Sequence, residues 1–171
     1  MLTTLTAGVV QLDLAPGLGG AIARLDVGGR PLLRPWAGDP DDLFSMGCNI
    51  LVPFSNRISG GGFDWDGTHY SLAPNFKGDP YPIHGDGFQR EWGIDLYGPV
   101  PRMTLYSGTF GPWRYCATQD FYLSETSLKI VLNVTNTGVA ALPFGCGFHP
   151  WFPRTPETRL GFCAKGVWME N

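Results

Sequence analysis

The sequence predicts an all-β chain built as an antiparallel β-sandwich, on three observations. Turn formers are abundant, with 24 Gly and 15 Pro in 171 residues. Aromatic residues make up 13%, and these fill pleated cores and rule out a disordered chain. Apolar residues alternate with period two in several short runs, and no stretch repeats them at the i, i+3, i+4 spacing of a helix.

Taken in order, residues 9–14 alternate and stop at Pro16-Gly17. Residues 21–27 run into Gly28-Gly29 and then Leu32-Leu33, which reads as a hairpin. Residues 39–46 have room for one helical turn. Residues 63–65 and 68–72 flank Asp66-Gly67, the clearest hairpin signal of the chain, because Asp-Gly accepts the positive φ of a type I′ turn. Residues 92–97 and 103–106 are two further short strands. Tyr115, Ala117, Gln119, Phe121 and Leu123 share one face of the next strand, and Leu128, Ile130, Leu132 and Val134 share one face of its partner, with residues 124–127 as the turn. No repeat or linker interrupts the series, so residues 1–171 read as one domain.

Charge and cysteine usage narrow the partners. Net charge is −3, and the 12 Lys and Arg are dispersed, so neither nucleic acid nor an anionic membrane finds a cationic surface. No apolar run is long enough for a transmembrane helix, and MLTTLT at the start lacks the basic residues of a signal peptide. Cys48, Cys116, Cys146 and Cys163 form no CxxC pair. They read as free, buried thiols in a reducing cytoplasm.

Three Gly- and Pro-rich segments separate the strands: 49–62 (NILVPFSNRISGGG), 74–92 (PNFKGDPYPIHGDGFQREW) and 143–153 (PFGCGFHPWFP). Loops on a rigid β scaffold are where binding groups concentrate. His84 and His149 each sit in such a segment beside Gly and aromatic residues, where an imidazole suits acid–base work and aromatic faces suit the C–H faces of a pyranose. The alternative is a pair of histidines capping loop carbonyls. His69, inside the 68–72 strand, reads as an ordinary strand residue. Arg57 follows Asn56 and precedes Gly60-Gly61-Gly62; its fork of donors fits sugar hydroxyls or a carboxylate, or equally ties loop carbonyls together. The triple glycine lacks the context of a phosphate loop, no GxSxG is present, and the histidines lack the close pairing of a cupin-like metal site.

Leu51-Val52-Pro53-Phe54-Ser55-Asn56-Arg57-Ile58, then Gly62-Phe63, Gly67, Tyr70-Ser71-Leu72, Asn75, His84-Gly85 and Trp92, resembles the aldose 1-epimerase (galactose mutarotase) family. The stretch from Asn133 to Asn136, Gly138, Pro143 and Gly147-Phe148-His149-Pro150-Trp151-Phe152 is similar to the family's second signature. The resemblance covers residues 49–152 and implies the antiparallel β-sandwich (supersandwich) of that superfamily. It implies an isomerase of carbohydrate metabolism that interconverts the anomers of a free aldohexose without metal or organic cofactor. Arg57, with Asn56, would bind sugar hydroxyls; His84 would hydrogen-bond the sugar near its ring oxygen; His149 would be the general acid.

In the family the general base is a glutamate well past the second histidine. Glu170 lies too close behind His149 to match it, and no motif supports Asp86 or Glu91 in its place. The sequence therefore reads as an N-terminal portion, incomplete at its C-terminal end, with self-association expected through an uncovered sheet. The alternative function is a non-catalytic or decayed carbohydrate-binding sandwich that lacks the base.

Overall fold

The computed structural model describes residues 1–166. Its strands are β1 (Thr3–Ala7), β2 (Val10–Ala15), β3 (Ala21–Val27), the short β4 (Arg30–Pro31), β5 (Cys48–Leu51), β6 (Gly62–Trp65), β7 (Thr68–Ser71), β8 (Gly93–Asp95), β9 (Arg102–Phe110), β10 (Trp113–Leu123), β11 (Leu128–Asn136) and β12 (Gly147–Pro150). A six-stranded sheet runs β1-β2-β3-β5-β12 with β4 on the side of β3, a four-stranded sheet runs β11-β10-β9-β8, and β6-β7 form a separate ribbon. Every strand pairing within these sheets is antiparallel.

The two larger sheets enclose the main core. Leu12, Leu14, Ile22, Cys48 and Ile50 come from one, and Met103, Leu105, Tyr115, Ala117 and Phe121 from the other. Side chains alternate across a strand, so the apolar row at 115–123 meets this core while Arg114 and Tyr122 face outward. The row on β11 (Leu128, Ile130, Leu132, Val134) packs against the same core. Gln119 is buried in that row, and its Nε2 donates to the Gly20 carbonyl at 2.9 Å.

The six-stranded sheet is also covered on its other face. Ala15, Ala21 and Ala23 alternate with core residues and pack there with Met46, Leu18 and Trp36. A 3-10 turn at Leu43–Ser45, inside the helical turn expected at 39–46, and a second at Gly87–Gln89 belong to the loops of this region. Asn49 and His149 alternate with Cys48, Ile50 and Phe148, so they project to this second face.

Several boundaries differ from expectation. Residues 32–33 are not a strand: the hairpin partner is β4, and the amides of Leu32 and Leu33 both donate to the Leu25 carbonyl. β1, with a half-buried edge pattern, adds a strand before the first expected one. His149 does not sit in a loop but on β12, paired with β5 inside the 49–62 segment; pairing across the chain overrides the local Gly and Pro content. The thiols are free, but burial differs: Cys48 is buried, Cys116 and Cys146 are half-buried, and Cys163 is exposed. Glu170 lies outside the described residues. Among the described residues no helix is long and apolar enough to cross a membrane.

Candidate active site

His84 lies in a stretch, residues 82–88, that is buried throughout. A buried loop must find partners for its polar backbone, and Asn75 supplies them. Its Nδ2 donates to the carbonyls of Ile83 (2.9 Å) and Gly85 (2.6 Å), and its Oδ1 accepts the Ile83 amide (2.7 Å). His84 has φ 60° and Asn56 has φ 61°, both in the left-handed region. Reciprocal hydrogen bonds hold the pair: the His84 amide donates to the Asn56 carbonyl at 3.0 Å, and the Asn56 amide donates to His84 Nδ1 at 2.9 Å. Gly85 has φ 71°, and a Cβ there would run into the Val52 carbonyl and the Pro53 ring, so this position admits no side chain.

His149 enters from β12. Its ring centroid lies 5.8 Å from that of His84, inclined at 60°. Behind it stands Trp151, ring to ring at 4.8 Å, and the Arg34 guanidinium lies over the Trp151 ring at 4.4 Å. Backbone bonds fix the column: the Arg34 amide donates to the Trp151 carbonyl at 2.7 Å, and the Trp151 amide donates to the Gly47 carbonyl at 2.8 Å. Arg34 also reaches the carbonyls of Phe44 and Met46. Phe44 packs its ring on Phe76, Phe88 and His84, which walls the other side of the His84 ring.

Arg57 follows Asn56 and is half exposed, and it makes an ion pair with Asp79 through Nε at 2.8 Å and a terminal nitrogen at 2.6 Å. The hydrogen bond from Arg57 is the main reason the Asp79 carboxyl is held below the usual carboxylate range. Arg57 thus links its own loop to the 74–92 segment through the Asp79 carboxylate.

Burial, followed by the charges of His149 and Arg57, lowers the pKa of His84 to about 4, against an opposing pull from Asp79. At neutral pH this ring is uncharged. Its Nδ1 accepts a backbone amide, so its hydrogen resides on Nε2 and the ring presents a fixed donor.

The structure brings His84, His149 and the backbone of Asn56 together, with Arg57 adjoining through Asn56 and Asp79. His69 stands apart on the β6-β7 ribbon, exposed and 2.7 Å from Asp64. Asp86 is buried, and its oxygens accept the Tyr115 hydroxyl at 2.6 Å and the Thr109 amide at 3.0 Å. Glu91 is exposed. Among the described residues no group of three His, Cys, Asp or Glu has the arrangement of a metal site. Asp79 and Phe44 escaped the sequence reading. Nothing local marks either residue, since each acts through contacts made only in the fold.

A sandwich whose larger sheet carries His149 on its second face, with His84 brought beside it from a loop, has the galactose mutarotase type of fold. The aldose 1-epimerase family profile matches residues 3–171, and the chain belongs to that family. The uncharacterized Escherichia coli K12 protein YphB is 39% identical over 170 residues, covering 98% of this chain and 57% of YphB. A crystal structure of a candidate aldose 1-epimerase from Escherichia coli K12 superposes with a TM-score of 0.85 at 37% identity, over 92% of this chain and 53% of that one. A galactose mutarotase-like protein from Clostridium acetobutylicum shares the fold, with a TM-score of 0.72 at 21% identity over 86% of this chain and 49% of that one. The chain thus spans about half the length of these relatives.

Proposed function

We propose that this chain supplies the acid side of a mutarotase site, which interconverts the α and β anomers of a free aldohexose. The observation that carries the reading is the His84–His149 pair: two imidazoles 5.8 Å apart, one of them locked neutral as an Nε2–H donor. A histidine held as a fixed donor can orient a substrate and leave proton transfer to a neighbouring group.

In this reading His149 gives a proton to the ring oxygen while a base removes the proton of the anomeric hydroxyl. The bond between C1 and the ring oxygen breaks, and the open aldehyde turns about C1–C2. The ring then closes on the other face of the carbonyl, and both protons return. His84 Nε2–H orients the sugar near the ring oxygen. Arg57 and Asn56 hold hydroxyls, and Trp151 offers an apolar face beside His149. Positioned proton transfers contribute roughly 10²–10⁴-fold each, and the route needs no metal or organic cofactor. The resemblance gives the base role to a glutamate well past the His149 motif.

One observation favours a second reading, sugar binding without turnover. The carboxylates near the pair are already engaged, Asp79 by Arg57 and Asp86 by Tyr115 and Thr109. Polarimetry on freshly dissolved α-D-glucose and α-D-galactose separates the two. Faster approach to the equilibrium rotation supports turnover; sugar-induced NMR shifts without acceleration support binding alone.

A further inference from the structure

Three buried polar atoms near the histidine pair have no hydrogen-bond partner among the described residues, and none of them bonds another: Nδ1 of His149, Oδ1 of Asn49 and Nε of Arg34. Buried polar groups are normally hydrogen-bonded, so each such atom needs an explanation. The first two belong to residues that stand directly opposite one another in the β5–β12 ladder. Opposed residues of an antiparallel pair share a face, with Cβ atoms roughly 4.5–5.5 Å apart, a gap that an asparagine side chain and an imidazole can bridge.

The orientation of the Asn49 amide is fixed. Its Nδ2 donates to the Leu43 carbonyl at 2.9 Å, and a carbonyl can only accept, so the nitrogen must face Leu43 and the oxygen is the atom left over. Asn49 is 1% exposed, so its oxygen does not face bulk solvent. The asparagine therefore offers an acceptor, and only an acceptor, to the residue across the ladder.

We propose that Asn49 is a positioning residue for His149: a small turn of either side chain brings Oδ1 to accept the Nδ1–H of the imidazole and so fixes which nitrogen carries the exchangeable proton. With Nδ1–H held by an acceptor in every protonation state, gain and loss of a proton take place on Nε2. The two histidines then have opposite neutral tautomers. His84, whose Nδ1 accepts an amide, keeps its hydrogen on Nε2 as a permanent donor. His149 keeps its hydrogen on Nδ1 and passes the other through Nε2. The inference rests on the mutarotase reading for what the proton does, but not for where it sits.

The test is a long-range ¹H–¹⁵N correlation spectrum of the ¹⁵N-labelled chain above the histidine titrations, with the three histidines assigned by single His→Gln variants. The expected spectrum shows His84 as the Nε2–H tautomer and His149 as the Nδ1–H tautomer. In Asn49→Leu, an apolar replacement of similar size, the His149 signal moves away from the pure Nδ1–H pattern while those of His69 and His84 stay in place. An Nε2–H tautomer for His149 in the unsubstituted chain overturns the proposal. That result would point instead to a donor on Nδ1. A pure Nδ1–H pattern retained in folded Asn49→Leu overturns it as well. The spectrum of the unsubstituted chain decides even if the variant does not fold. No turnover enters the measurement, so a chain that fails to accelerate mutarotation removes the catalytic reading and leaves this one standing or falling on its own.

Discussion

His84 and Asn56 grip each other twice, amide to carbonyl and amide to ring nitrogen, with both backbones in the left-handed region. The consequence is a histidine whose tautomer is set by the backbone of the Asn56-Arg57 segment. The segment that would contact sugar hydroxyls thus also orients the histidine.

Removing the proposed acid is the most direct check. His149→Ala is expected to lower the mutarotation rate by roughly 10²-fold or more, the loss typical of a positioned general acid. His69→Ala, on the exposed ribbon strand, is expected to leave the rate unchanged. Polarimetry on both variants checks this, and equal losses would remove the assignment of His149.

Arg57→Lys is expected to weaken sugar binding by about tenfold, because an ammonium cannot reproduce the fork that holds Asp79 and, in the proposed reading, also reaches a hydroxyl. NMR titration with the sugar measures it. An unchanged affinity in a folded variant would make Arg57 a structural partner of Asp79.

His84 gives stability a pH dependence whose sign follows from its lowered pKa. The folded value is about 4, against 6.5 for an ordinary histidine. Between these values the unfolded chain binds the proton and the folded one does not. The contribution is therefore fully present above pH 6.5 and is lost as pH falls toward 4. After allowance for solvent screening it is worth on the order of 2 kcal/mol. Urea unfolding at a series of pH values should show this slope, and His84→Gln should flatten it.

Gly85→Ala is expected to destabilise the chain by about 2–4 kcal/mol. The new methyl meets the Val52 carbonyl and the Pro53 ring, at a backbone angle that alanine avoids. The shift in denaturation midpoint reads the cost, and a loss of sugar-induced NMR shifts would show that the His84 loop has moved with it.

β12 is the terminal strand of its sheet among the described strands, and Phe152, Leu160 and Phe162 beyond it are exposed. Open edges beside apolar residues recruit other chains. Concentration-dependent self-association is expected, measured by static light scattering with hydrophobic-dye binding as a companion. A monodisperse monomer across the concentration range would contradict it.

The sequence was most informative where structure is local. The paired rows on β10 and β11 are visible as period-two alternation, and both rows pack on the core. The Asp66-Gly67 turn has both residues at positive φ, 48° and 71°, as the dipeptide predicts. β12 was not legible, because four residues containing Gly and Pro become a strand only through β5. The same holds for the site. His84 and His149 could be picked out by type and surroundings, and their significance came from resemblance to a family. The Asp79–Arg57 pair and the Asn49–His149 opposition are relations between distant positions, with no signature in either stretch alone.

The β5–β12 ladder also sets an order of events in folding. The ribbon of β6 and β7 and the hairpin of β10 and β11 close over short separations, whereas β12 must return across everything from β6 to β11 to reach its partner. Distant pairings pay loop-closure entropy before they gain contacts and so form late. The strand that brings His149 to His84 is expected to be among the last to dock. A chain still emerging from the ribosome would carry most of its hairpins before His149 faces His84, and the proposed sugar site would form only when β12 pairs with β5.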